Sequence, residues 1–382
     1  MKKAKEYCIV ILTLIYIFLL IIYSKEISIH ILKSIKTCIY TIIPSLYIFM
    51  IVSDFIITSN IYTLFSKPFS FISKYIFRIP EHFFPIYIIS NIGGYPIGAK
   101  LISDMLYNNK IDVKTAEDMM TYCYLSGPAF IFGIVSTYIF SDLKTGIIIL
   151  ISILLSNFII AVIIGLKRSI PKSSTYSAKL NLSINNFILS IYNGGQSIFK
   201  ICAIIIFFSS LICIFENSGI ISYIARIIEV YTELDYSTSI ACIKSLFEIS
   251  NISLFESETD NIPLIASLLS FGGLCIIFQI KSIIPKLSIK RFIIFRIASI
   301  ILSYLICNLI CFITYYFFYP VFSPAIIAHS QNSPIITVFL LIMTILFLLK
   351  FSIEKEKKIW YNKQNKSFSR KDCYYGKKEI FR

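Results

Sequence analysis

The 382-residue chain is poor in charge, poorer in acid and almost without histidine. Charged residues make up 15%, with 21 Asp and Glu against 36 Lys and Arg, and the histidines are three scattered residues, His30, His82 and His329. A metal site or a histidine-based catalytic site therefore has little material. The ten cysteines, among them Cys123, Cys202, Cys213, Cys242, Cys275 and Cys307, fall mostly inside apolar runs and form no CxxC or Cys/His cluster. They read as small core residues, with no metal and no disulfide implied. Nucleophile elbow, P-loop, HExxH and kinase-like patterns are missing too. Nothing supports an ATPase, a hydrolase or another enzyme, and no cofactor is expected.

Apolar residues fill the space: they amount to 57% of the chain, and mean hydropathy is +0.78. That is too apolar for a water-exposed surface, so the expectation is an all-α, polytopic membrane protein. Runs long enough for the ~20 helical residues that cross ~30 Å of hydrocarbon lie at 7–24, 37–59, 119–140, 145–166, 198–216, 262–284, 292–318 and 334–351, eight crossings. The first follows Lys2, Lys3 and Lys5 without a small-x-small cleavage site, which predicts a retained helix. Two further stretches, 83–107 and 239–255, are too interrupted to cross alone and read as re-entrant hairpins, tolerated only where protein or a watery cavity covers the freed backbone.

A net charge of +15 could suggest nucleic acid, but the basic residues sit in short loops and a C-terminal tail. With both termini in the cytoplasm, the inner segments carry 25 Lys and Arg and the outer ones 6, the asymmetry that orients membrane proteins. Only the expected outer loop 25–36, with Lys25, Lys33 and Lys36, disagrees. The layout divides into an anchor helix and loop (1–36), a first repeat (37–140), a linking helix and basic loop (141–197), a second repeat (198–284), C-terminal helices (285–351) and a basic tail (352–382) that could contact anionic lipid. The two repeats have the same order of parts: span, amphipathic stretch, broken hairpin, broken span. Because the linking helix reverses direction, they form an inverted repeat, the plan of secondary transporters.

Candidate binding residues come from the interruptions. Asn91, Gly93, Gly94, Tyr95, Pro96, Gly98 and Lys100 join a glycine turn to a helix start, where free N–H groups attract an anion and Lys100 adds a charge. The plain alternative is a tight turn with Lys100 snorkelling to the interface. In the second hairpin Glu248, Ser250 and Asn251 form a polar cluster, with Glu248 a candidate for a coupling proton. Solvation at the hairpin mouth is the alternative there. Ser126, Gly127 and Pro128, and Gly272, Gly273 and Gln279, would unwind the two broken spans and free carbonyls for a ligand or a coupling proton or sodium ion. Asp54 and Asp104 are weaker candidates, Asp104 because it can pair with Lys100 one helical turn away.

At these residues the chain resembles the sporulation integral membrane protein YlbJ family, also called stage V sporulation protein V, which carries nucleoside-recognition (Gate) domain elements. The matching pieces are Ile43-Pro44-Ser45-Leu46, Gly94-Tyr95-Pro96-Ile97-Gly98-Ala99-Lys100, Ser126-Gly127-Pro128-Ala129-Phe130, Phe247-Glu248-Ile249-Ser250-Asn251 and Ser270-Phe271-Gly272-Gly273-Leu274. Two places depart from the family pattern: Tyr124-Leu125-Ser126-Gly127-Pro128 stands where the family looks more like N-N-A-S-P, and Ile252 stands where a Gly is usual. The resemblance implies a transporter in the outer forespore membrane that moves dipicolinic acid from mother cell toward forespore. A nucleoside transporter and a non-transporting scaffold for spore envelope assembly are the competing expectations.

Overall fold

The computed structural model describes residues 2–170, 180–318, 337–338 and 340–345. Among them every regular element is helical. Four helical runs are long and apolar enough to cross a membrane: Leu143–Gly165, Ile184–Asn217, Asn261–Ile283 and Ile289–Thr314. A fifth arises if Glu6–Ile22 and Ser24–Ile42, bent by 92° between them, count as one span. The other expected crossings take a different form. Residues 37–59 give a 16-residue helix, and 119–140 is two helices with an extended break. The expected span 334–351 falls largely outside the described residues, as does the basic tail.

We label the helices α1 (Lys2–Ile22), α2 (Ser24–Thr37), α3 (Ile43–Thr58), α4 (Phe84–Gly93), α5 (Ile97–Tyr107), α6 (Val113–Tyr122), α7 (Pro128–Phe140), α8 (Leu143–Gly165), α9 (Ile184–Asn217), α10 (Ile220–Tyr231), α11 (Tyr236–Phe247), α12 (Asn261–Phe271), α13 (Gly273–Ile283) and α14 (Ile289–Phe318). Loop polar residues start several of them. Asp112 accepts from Thr115 N at 3.3 Å, Asp142 from Thr145 N at 3.0 Å, Ser183 from Asn186 N at 3.1 Å and Asp235 from Ser237 N at 2.9 Å. Each satisfies a first-turn N–H that the helix cannot.

Residues 25–36, expected as an outer loop, form α2 instead. Ile27, His30, Ile31, Ser34 and Ile35 recur at helical spacing on the side that packs inward, while Lys25, Lys33 and Lys36 are exposed. This face lies on α9, where Ser209 Oγ donates to His30 O at 3.3 Å. Tertiary contact to a partner far along the chain, which local hydropathy does not register, decides the helix. The basic loop expected at 167–197 likewise ends early, because α9 begins at Ile184. At 34 residues α9 is about 51 Å long, well beyond the hydrocarbon thickness.

Helix α8 shows how the bundle is built. Leu143, Ile147, Ile151 and Leu155 form an exposed apolar stripe, while Ser152, Ser156 and Asn157 are buried on the opposite side. That is the reverse of a soluble helix: the apolar stripe suits lipid, and small polar residues mediate helix contact. Ser156 Oγ meets Ser299 Oγ at 3.2 Å and Ser270 Oγ meets Ser299 Oγ at 2.5 Å, joining α8, α12 and α14 at the centre. A second close contact joins α3 and α9, where a Cβ on Gly194 would lie 2.9 Å from Ile51 Cγ1.

Candidate functional site

Helices α4 and α5 are 10 and 11 residues long, about 15 Å each, half of what a crossing needs. Between them Gly94 takes a left-handed backbone, φ +79°, and a Cβ there would lie 2.5 Å from Gly127 N. Only glycine reaches this contact, in which the turn of the first hairpin presses against the break between α6 and α7. Tyr95 N donates to Leu125 O at 2.7 Å, so the hairpin supplies a donor for the broken strand of backbone. Gly98 rests on the Cys123 carbonyl in the same way.

Residues 236–255 make an analogous contact with a different outline. Instead of two helical arms, α11 ends at Phe247 and a tight turn, Ile249–Leu254, comes next. Glu248 caps that turn: its carboxylate accepts from Ser250 N at 3.1 Å, from Ser250 Oγ, and from Asn251 Nδ2 at 3.4 Å. Asn251 Nδ2 also donates to Glu248 O at 2.9 Å. Ser250, Asn251 and Glu248 therefore come together, chiefly by bonding one another. The turn packs on the break between α12 and α13, where a Cβ on Gly273, φ +81°, would lie 3.0 Å from Ser245 O.

The two breaks meet at Tyr124. Its hydroxyl donates to Phe271 O at 2.7 Å, its ring lies 4.8 Å from the Tyr95 ring, and Gly272 leaves the room its hydroxyl needs. Behind Tyr124 stands Arg296, fully buried on α14, its guanidinium 4.7 Å from the Tyr124 ring centre and 5.6 Å from that of Phe292. It donates to Thr121 O, to Tyr124 O at 3.1 Å, to Ser270 O at 3.4 Å and to Asn157 Oδ1 at 3.4 Å. Thr121 and Ser270 lie in the last turns of α6 and α12, so one cation serves the carbonyl ends of both interrupted helices. A helix C-terminus carries about half a negative charge. Two of them balance one guanidinium, and among the described residues no carboxylate pairs with it.

Around this crossing several buried polar atoms make no hydrogen bond within the described residues: both side-chain atoms of Asn91, Tyr95 Oη, Ser126 Oγ and Gln279 Oε1. Tyr87 approaches Asn91, and Ser126 approaches Tyr95, without closing a bond of good geometry. Unpaired buried polar groups cost about 1–3 kcal/mol each, which marks the region as one that gains by taking up a polar ligand.

Lys100 points elsewhere. Its Nζ binds Asp54 Oδ1 at 2.7 Å and Asp104 Oδ1 at 2.5 Å, so two carboxylates already surround its charge. Asp54, 2% exposed, also accepts from Asn193 Nδ2 on α9 at 3.3 Å. A second ionic cluster holds α6 to the loop after α8 and to α14: Asp118 pairs with Arg168 and Arg291, and Arg291 reaches Glu117 at 3.8 Å.

Sequence reading passes over Arg296, Asn157 and Asp118. Arg296 carries a usable signal, since a guanidinium five residues into the apolar run 292–318 is costly unless paired. Asn157 and Asp118 carry none of comparable strength, because their partners are distant in sequence.

No family model matches the chain, and no solved structure matches it. Among curated proteins it is similar to the sporulation integral membrane protein YlbJ of Bacillus subtilis (strain 168), 24% identical over 278 residues, 65% of this chain and 68% of that protein.

Proposed function

We propose that the chain, similar to the sporulation integral membrane protein YlbJ of Bacillus subtilis, is a sporulation membrane transporter for a small organic anion, with dipicolinic acid the first candidate, carried from mother cell toward forespore across the outer forespore membrane. It works by alternating access, without covalent chemistry, and its N and C termini face the cytoplasm. The observation that supports this reading best is the contact of two interrupted helices at their breaks, each covered by a short helical element. Secondary transporters place their substrate between such broken helices.

An anion suits the electrostatics. The carbonyl ends of α6 and α12 are already served by Arg296, while α7 and α13 start at Pro128 and Gly273, beside the breaks. The substrate then faces a surface enriched in N–H groups and positive helix ends. In this reading Gly93, Gly94, Tyr95, Ser126, Gly127, Gly272 and Gly273 frame the site, and Asn91, Gln279, Ser250 and Asn251 supply neutral polar contacts.

A nucleoside is the second reading, favoured by the unpaired Asn91 amide and Gln279 Oε1 and by the occupied charge of Lys100. Purified protein in vesicles distinguishes the two. We expect uptake of labelled dipicolinate, competed by related dicarboxylates and not by nucleosides. Competition by nucleosides alone selects the second reading, and no uptake of either selects a scaffold.

A further inference from the structure

Asp54, Lys100 and Asp104 come from two helices of the first repeat, α3 and α5, and meet in a buried cluster. Side chains of Asp54 and Lys100 are 2% and 9% exposed and that of Asp104 is 13% exposed. Two carboxylates face one ammonium, so the contacting groups carry a net charge of −1. Asp54 has its oxygens bound by Lys100 and Asn193, but Asp104 Oδ2 is buried and accepts no hydrogen bond within the described residues.

Other cations nearby are held away. Lys110, within electrostatic reach of Asp104, donates to Ile57 O at 2.6 Å and Asn60 Oδ1 at 2.7 Å and lies over the Tyr62 ring. On α13, which Ser103 Oγ ties to α5 through Ile283 O at 2.9 Å, Lys281 donates to Pro285 O and to Leu287 O at 3.0 Å. From α9 the cluster receives only the neutral Asn193. An unbalanced carboxylate in a bundle interior is expensive, and an oxygen without a donor more so. Taking up one proton removes the excess charge.

We propose that the Asp54–Lys100–Asp104 cluster is a proton site, in which Asp104 Oδ2 takes a proton from water and returns it to water on the other side as the transporter changes access. The proposal rests on the transport reading and assigns its coupling ion. The Lys100 ammonium, bound to both carboxylates, occupies the position a metal ion would need, so the ion is a proton and not sodium. Glu248, whose oxygens close the 249–254 turn, is left as a structural cap in this scheme.

The test compares two modes of dipicolinate movement in vesicles: accumulation driven by an imposed pH gradient, and exchange of labelled for unlabelled substrate at equal pH. Asp104→Asn and Asp54→Asn are expected to lose gradient-driven accumulation and keep exchange, while Glu248→Gln keeps both. A full gradient response in both Asp variants overturns the proposal, as does accumulation driven by sodium at equal pH. Infrared difference spectra of the purified protein across a pH step provide a readout that needs no transport. A protonated carboxyl band present in wild type and missing in Asp104→Asn supports the site even for a variant inactive in vesicles. A spectrum unchanged by either substitution overturns it. Wild-type protein that exchanges no anion at all defeats the transport reading, whereas the infrared band still reports on the cluster.

Discussion

Replacing Arg296 by Met tests whether the cation at the crossing is a structural counter-charge. Met retains much of the apolar volume, so packing changes little, but the donors vanish. Tyr124 O keeps its bond from Asn157 Nδ2 at 2.8 Å. Thr121 O and Ser270 O lose the Arg296 donors, at about 1–3 kcal/mol for each carbonyl left unpaired. The stacking of the guanidinium on Tyr124 adds about 1 kcal/mol. Against this stands the relief of no longer burying a charge, which can exceed the attraction when a true ion pair is replaced. Here the helix ends that the cation balanced remain, so removing it resembles breaking a buried pair, and a net loss of about 3 kcal/mol is expected. The buried thiols of Cys123 and Cys275, both 0% exposed, make native reporters. A thiol-reactive dye followed during heating should give a midpoint lower by roughly 4 °C, with Arg296→Lys recovering only part of the loss. A midpoint for Arg296→Met equal to or above wild type would refute the counter-charge argument.

Three further outcomes are expected. Glu248→Gln should leave folding and pH response near wild type, whereas Glu248→Ala, which removes the cap of the 249–254 turn, should cost about 1 kcal/mol in the same melting assay. In a background without native cysteines, single cysteines at Asn109 and Glu233 should label with impermeant reagents from opposite sides, the first from the cytoplasm; labelling from one side ends the inverted layout. Hydrogen bonds from Ser237 and then Thr238 hold the Asp235 carboxyl down at about 2. A depressed carboxylate stabilises above its unfolded value near 4 and loses that stabilisation as pH falls through its folded one, so the protection of amides at the start of α11, exchange taken relative to the unfolded chain at the same pH, should fall between roughly pH 4 and pH 2. Asp235→Ala should show the lowered protection at every pH.

How far the sequence reveals this arrangement depends on the range of the forces involved. Helix α8 is legible almost to the residue, because a long apolar run with no charge inside it needs only hydropathy to define it. The breaks at Ser126-Gly127-Pro128 and Gly272-Gly273 are legible as interruptions, yet nothing local indicates that they touch; that depends on a Tyr124 hydroxyl reaching Phe271. For α2 local hydropathy misleads, since three exposed lysines mask an apolar face that matters only against α9. Lys100 is readable as a charge beside the glycine turn and Asp104 as its partner one helical turn away, but Asp54 enters the cluster through a fold contact between α3 and α5. The second hairpin, expected to have two arms, has one arm and a turn, because Glu248 ends α11 and caps the 249–254 segment.

The meeting of Gly94 with Gly127 has a consequence for how such a chain can diverge. A side chain at Gly94 would drive a Cβ into the Gly127 backbone, and one at Gly127 would stand 3.1 Å from Gly93 O. No repacking of neighbouring side chains creates room between two backbones. Sequence drift around the first break is therefore uneven: position 94, left-handed and pressed on backbone, stays glycine until one segment is displaced bodily from the other, whereas position 127, with an ordinary extended backbone, can take a small side chain after a slight shift.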